Sequence, residues 1–154
     1  MPIQDPVLSS VERTFLGQAR RAVLATIAPN GRPRLVPICH IVEPVQPVLW
    51  TPLDEKPKVV DDVVRLARVR DILRDGRVTV LVDRWAEDWG RLAWLRCDGL
   101  ASVIELAEGG ADRVDAIAAL REKYPQYAGH DLETRPIIRV AIEQTTSWGA
   151  IESG

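Results

Sequence analysis

The stretch AVLATIAPNGRPRLVPICHIVEPVQPVLWT, residues 22–51, decides how this chain folds. Its apolar runs, Val23 to Ile27 and Leu35 to Val42, flank Pro29-Asn30-Gly31, and an Asn-Gly pair between two apolar runs is a strong β-hairpin signal. Pro33 and Pro37 have no N–H to give to a ladder, which places part of the second strand at an edge or a bulge. Beyond the Pro-rich turn from Glu43 to Pro47, Val48-Leu49-Trp50-Thr51 reads as a third strand. Three strands therefore meander before any second helix.

On the N-terminal side, Ser9 and Glu12 have the spacing of a capping box, and Leu8, Val11, Phe15 and Ala19 recur at helical intervals. On the C-terminal side, Leu66, Val69 and Leu73 share one helical face in a segment that stops near Asp75-Gly76. Arg77 to Val82 is a β-branched strand, and Leu92 to Ile104 is another, long enough to bend at Gly99. The polar loop between them carries Trp85 and Trp89. Gly109-Gly110 precedes a third helix with the stripe Val114, Ile117, Leu120 and Tyr124, which Pro125 ends. Ile137 to Glu143 is a further strand, and Thr145 to Ile151 reads as a last short one. The count is six or seven strands and three helices. A sheet of that strand number avoids open edges by closing, so the expected fold is mainly β: a small antiparallel Greek-key barrel with peripheral helices, one domain over residues 1–154.

Composition narrows the function. With 154 residues the chain is one domain's worth, and 46% hydrophobic against 27% charged content is that of a soluble globule. A net charge of −2 supplies no electrostatic footprint for nucleic acid or an anionic membrane. The opening residues lack a basic segment followed by an apolar run, so a cytoplasmic location is expected. Cys39, Cys97, His40 and His130 are too few and too scattered for a zinc site, so no metal is expected. No GxGxxG or GxxxxGK[ST] motif is present, and neither histidine neighbours a nucleophile motif.

What remains is a basic loop and an excess of tryptophan. Only three of the twenty basic residues are Lys, and two of them, Lys56 and Lys58, share the loop stiffened by Pro52 and Pro57. With the Thr51 hydroxyl at the strand end, these ammonium groups form a combination that grips phosphate. Arg70, Arg74 and Arg77 follow at i, i+4 and i+7; the plain alternative is a solvated face shared with Asp71 and Asp75. Five of the eight aromatic residues are Trp, at 50, 85, 89, 94 and 148. Each alone reads as core. Together, most of them at strand ends or in loops, they suit a site for a flat, partly apolar ring.

The order of these features, with the hairpin VLATIAPNGRPRLVPICHIVE, the strand VLWT, RVRDILRDGRVTVLVD, WLRCDGLASVIE and a late SWG, resembles the pyridoxamine 5'-phosphate oxidase-like family over nearly the whole chain. That family consists of flavin- or deazaflavin-binding split barrels of the FMN-binding type. WTPLDEKPK and DRWAEDWGRLAWLRCDG resemble its actinobacterial F420-dependent branch. The resemblance implies a phosphate grip at Thr51, Lys56 and Lys58, with Arg70 where a basic residue often precedes the Asn-Leu of the second helix. Trp50 and Thr51, and the facing strand around Trp94 and Arg96, would wall the cofactor cleft. It further implies a homodimer with the cleft at the subunit interface, where Trp148 reaches the partner's cofactor. Asp71 in place of the frequent Asn, and Gly76 in place of the Pro of a common DPR turn, depart from the pattern.

The implied function is hydride transfer between the deazaflavin coenzyme F420, with FMN as the alternative, and a small organic substrate. No catalytic side chain is assigned; Glu87, His40 or water could supply a proton. Two other readings are a non-catalytic F420 or FMN carrier and an FMN-dependent enzyme like pyridoxamine phosphate oxidase. Steady-state hydride transfer separates the first from the carrier.

Overall fold

The computed structural model describes residues 4–53 and 66–152. Lys56 and Lys58 lie outside them. The elements in chain order are α1 (Ser10–Gln18), β1 (Ala22–Ile27), β2 (Pro33–Ile38), β3 (Ile41–Val42), β4 (Val48–Pro52), α2 (Ala67–Arg74), β5 (Arg77–Arg84), β6 (Ala93–Ile104), α3 (Gly110–Lys123) and β7 (Ile137–Gly149). Short 3₁₀ turns cover Trp89–Arg91 and Pro125–Gly129.

The opening helix starts where its capping box predicts. Ser9 Oγ accepts from the Glu12 N–H at 3.1 Å and Glu12 Oε1 from the Ser9 N–H at 2.9 Å. The β1–β2 hairpin also forms. Its turn is a type I turn followed by a left-handed glycine: the Ala28 carbonyl accepts from the Gly31 N–H at 2.8 Å, and Gly31 has φ 82°. Asn30 Oδ1 accepts from the Arg32 N–H at 3.1 Å, closing the turn from its own side chain.

All seven strands pair antiparallel in the order β2-β1-β5-β6-β7-β4-β3. The two ends of that order, β2 and β3, are separated in the chain only by Cys39 and His40. Ile38 and Ile41 can therefore be at most about 11 Å apart, so the sheet must curl until its ends meet. This is a split barrel: curled, and joined across the split by covalent chain. Pro33 and Pro37 lie on the terminal strand β2, where a missing N–H leaves no ladder bond unmade.

His40 occupies this corner with no exposed surface. Its Nε2 donates to the Leu16 carbonyl at 2.8 Å, and its backbone N–H donates to the Tyr124 hydroxyl at 3.1 Å. Lys123 Nζ donates to the His40 carbonyl at 2.9 Å and to the Ala19 carbonyl at 2.7 Å. The end of α1 has no basic residue of its own, so His40 and Lys123 satisfy carbonyls that its last turn leaves open.

Two apolar cores result. Inside the barrel, Leu24, Leu49, Val80, Leu95 and Val140 pack with Phe15 and Leu16 of α1 and with Val69 and Ile72 of α2. Outside it, α3 lays Ala116, Ile117 and Leu120 on Ile41, Val48, Trp50 and Ile137. β4 lies between these cores and is buried along its whole length.

Three sequence expectations change. Leu73 is exposed, and Ile72 takes its place on the buried face of α2; likewise Val114 of α3 is exposed, while Arg113 is buried and donates to the Glu133 and Arg135 carbonyls. Residues expected as two final strands form the single β7. The bend at Gly99 is a bulge: Asp98 pairs with Gln144 and Gly99 with Ile142, leaving Glu143 unpaired. A Cβ at Gly99 would lie 2.3 Å from the Ala141 carbonyl oxygen. Gly99→Ala is expected to lower stability by at least about 2 kcal/mol, as overpacking against backbone does; a denaturation midpoint equal to that of the parent would contradict the bulge geometry.

Candidate functional site

Strand alternation on β6 turns Ala93, Leu95 and Cys97 inward, where all three are buried, and Trp94, Arg96 and Asp98 outward. Register then lays out the outer face in rows. Asp83, Trp94 and Trp148 stand side by side on β5, β6 and β7, and the next row is Leu81, Arg96 and Thr146. The Arg96 guanidinium carbon lies 5.6 Å from the centre of the Trp94 ring, a cation–π contact. Trp148 is 54% exposed.

The β5–β6 loop adds two more indoles at this end, Trp85 and Trp89, each about 70% exposed. The backbone beneath them is tied down. Arg84 Nε donates to the Arg91 carbonyl at 3.0 Å and its Nη2 to the Ala150 carbonyl, while Asp88 Oδ1 accepts from the Gly90 N–H at 3.0 Å. Four of the five tryptophans thus stand on one rim, held on a fixed frame with their rings outward.

The other predicted site residues lie elsewhere. Trp50 is 1% exposed in the core under α3, with Nε1 donating to Glu43 Oε2 at 2.7 Å, and Thr51 is 2% exposed. Neither ring nor hydroxyl forms open surface in the single chain: α3 covers the Trp50 side of β4, and Thr51 lies on its other side, facing the barrel core with Leu49 and paired with Ile138. Thr51 pairs with Ile138, which pairs with Val103, and Val103 is nine residues from Trp94 along β6. That is about 30 Å of strand. Trp94, Arg96 and Trp148 are brought together; Trp50 and Thr51 form a second group at the other end of the same strands. Arg70 is exposed on α2.

The remaining arginines of the basic stretch meet aspartates. Arg77 Nη2 pairs with Asp75 Oδ2 at 2.7 Å on the surface, holding that carboxyl down to about 2. Arg74 turns to Asp71 and to the Ile27 carbonyl. Asp71, which the sequence reading sets on a solvated face with Asp75, is instead buried, with 1% exposure. Its signal was available: an acid between Val69 and Ile72, on the side of α2 that packs on the barrel.

Chemically, the tryptophan rim offers flat apolar surface, the Arg96 cation and a group of indoles, an environment suited to a planar aromatic system. His40, enclosed and bonded to Leu16, cannot pass a proton to a ligand there, whereas Glu87 is exposed on the tryptophan loop.

A family model described as pyridoxamine 5'-phosphate oxidase matches residues 9–149. Among solved structures, a conserved hypothetical protein from Mycobacterium tuberculosis superposes with a TM-score of 0.70 at 21% identity, covering 97% of this chain and 89% of that one. An FAD-binding protein from Mesorhizobium loti gives 0.63 at 22% identity, over 91% and 94%. The heme storage protein of Vibrio cholerae gives 0.64 at 15% identity, over 92% and 95%. At these identities the likeness shows the fold. Among curated proteins none matches the chain. No described helix is long and apolar enough to cross a membrane.

Proposed function

Because the chain belongs to the pyridoxamine 5'-phosphate oxidase family, we propose that it is an oxidoreductase that binds a flavin-type cofactor, coenzyme F420, in a cleft completed by a second copy of the chain. It passes a hydride between that cofactor and a small organic substrate.

One observation carries the shared cleft. The tryptophan rows and the end of β4, after which Lys56 and Lys58 follow in sequence, are separated by about 30 Å of strand within one chain, and a two-fold axis is the simplest operation that sets the first of one protomer against the second of its partner. The outer face also carries apolar side chains beside the aromatic rows: Leu35, Pro37, Val23 and Leu81 adjoin across β2, β1 and β5, with Leu35 65% exposed. A second copy would cover them.

The residues present fit a planar cofactor. Trp94 and Trp148 would hold the ring system with Arg96 beside it, Lys56, Lys58 and Arg70 would take its anionic part, and Trp85 and Trp89 would exclude water. When bound, the deazaflavin supplies the hydride chemistry. F420 rather than FMN rests on the likeness of WTPLDEKPK and DRWAEDWGRLAWLRCDG to the F420-dependent branch.

The test is a titration of the purified protein with F420 and, separately, FMN, followed by tryptophan fluorescence. Micromolar or tighter quenching by F420 is expected, and Lys56→Ala with Lys58→Ala should weaken it by about 3–6 kcal/mol, at 1.5–3 kcal/mol for each charged hydrogen bond. A preference for FMN would change the cofactor, and binding of neither would remove the reading. Oxidation of F420H2 by an electron-poor small molecule then separates an enzyme from a carrier.

A further inference from the structure

Three elements converge on the buried Asp71 of α2. Thr26 Oγ1 from β1 and Arg34 Nε from β2 both donate to Oδ2 at 2.7 Å, and Arg74 Nη2 reaches Oδ1 at 3.4 Å. Burial pushes the carboxyl up, but the bonds from Arg34 and Thr26 outweigh it and hold the group ionised below the usual range. An ionised carboxylate is a fixed anchor for guanidinium groups.

Arg34 is anchored through Nε alone. Its side chain is 40% exposed, and its two Nη groups make no hydrogen bond to any described residue. Arg34 is one of the residues lining a shallow cleft of about 440 Å³ beside the β1–β2 turn, with Ala28, Pro29, Asn30, Arg32 and Pro33. Two arginines and no acid are among its lining residues. The turn beneath it is closed by its own hydrogen bonds. A surface arginine ordinarily loses side-chain freedom when it captures an anion; Arg34 has already lost it to Asp71, so less is lost on binding. Thr26 already ties Asp71 to β1, which leaves the bond to Arg34 free to serve the guanidinium.

We propose that this cleft is an anion site in which Arg34, with Asp71 as its positioning residue, and Arg32 receive a phosphate or carboxylate group. The inference goes beyond the oxidoreductase reading and stands if that reading falls.

The test is calorimetric titration of the full chain at low salt with inorganic pyrophosphate and, in a separate arm, citrate. Binding in at least one arm is expected, and the arm that binds tells which anion the site takes. Arg34→Gln should weaken it about tenfold to a hundredfold, the range of a lost charge-assisted bond, and Arg34→Lys should restore part. Asp71→Asn should weaken binding as well. Thr26→Val, which removes the other bond to Asp71, should lower thermal stability and leave anion affinity unchanged. Binding of neither anion, or Arg34→Gln binding as tightly as the parent, would overturn the proposal. So would Thr26→Val weakening affinity as much as Asp71→Asn, since the cluster would then be structural only.

Discussion

Trp50→Ala is expected to lower the free energy of unfolding by about 3–5 kcal/mol, the range for emptying a buried Trp position, whereas Trp148→Ala should change it by no more than about 1 kcal/mol. The indole of Trp50 is 1% exposed between β4 and α3, and its loss also strands the Glu43 carboxylate that accepts its N–H at 2.7 Å. Trp148 is 54% exposed on a strand whose neighbours hold their register without it. Urea unfolding of the two variants checks both values. A small loss for Trp50→Ala would mean that α3 does not cover β4 as described.

The second large effect is on acid stability. Burial, and then the positive charge of Lys123, hold the His40 imidazole down to about 4 against an ordinary value near 6.5, with the bond to Leu16 opposing the shift. The Tyr124 hydroxyl accepts the His40 backbone N–H, and the Arg20 guanidinium lies over the Tyr124 ring. Between pH 4 and 6.5 the unfolded chain therefore binds the extra proton and the folded chain does not. Stability from this group is fully present above about pH 6.5, falls as the pH drops towards 4, and changes no further below that. The loss is on the order of 3 kcal/mol. Stability measured from pH 7 to 4 should fall more steeply for the parent than for His40→Gln; parallel curves would contradict a buried neutral imidazole.

These two residues mark the limit of what was legible in the sequence. Local signals read correctly: the Ser9 and Glu12 cap, the Asn30-Gly31 hairpin, the edge prolines and the bend at Gly99 each depend on a few neighbouring residues. Trp50, which alone reads as core, is set by the resemblance on the cleft wall, because its cover comes from Ala116, Ile117 and Leu120, more than sixty positions on. Leu73 and Ile72 differ by one step around α2, and only the packing of that helix on β1 and β6 decides which is buried. The Asp71 cluster gathers residues 26, 34, 71 and 74, so no local pattern contains it. The rows of Trp94, Trp148 and Arg96 were half legible. Their alternation was visible, and the pairing of β6 with β7 that makes them neighbours was not.

The fold places Trp94, Arg96 and Trp148 about 30 Å of strand from Thr51, and the claim that follows is that two chains share each cleft. Mixing decides it. A chain carrying Lys56→Ala and Lys58→Ala, and another carrying Trp94→Ala and Trp148→Ala, would each bind cofactor poorly alone. Unfolded and refolded together, they should recover about a quarter of the parent's binding sites, because half of the dimers are mixed and each mixed dimer holds one intact cleft. No recovery on mixing, with both variants folded, would contradict a cleft built from two subunits.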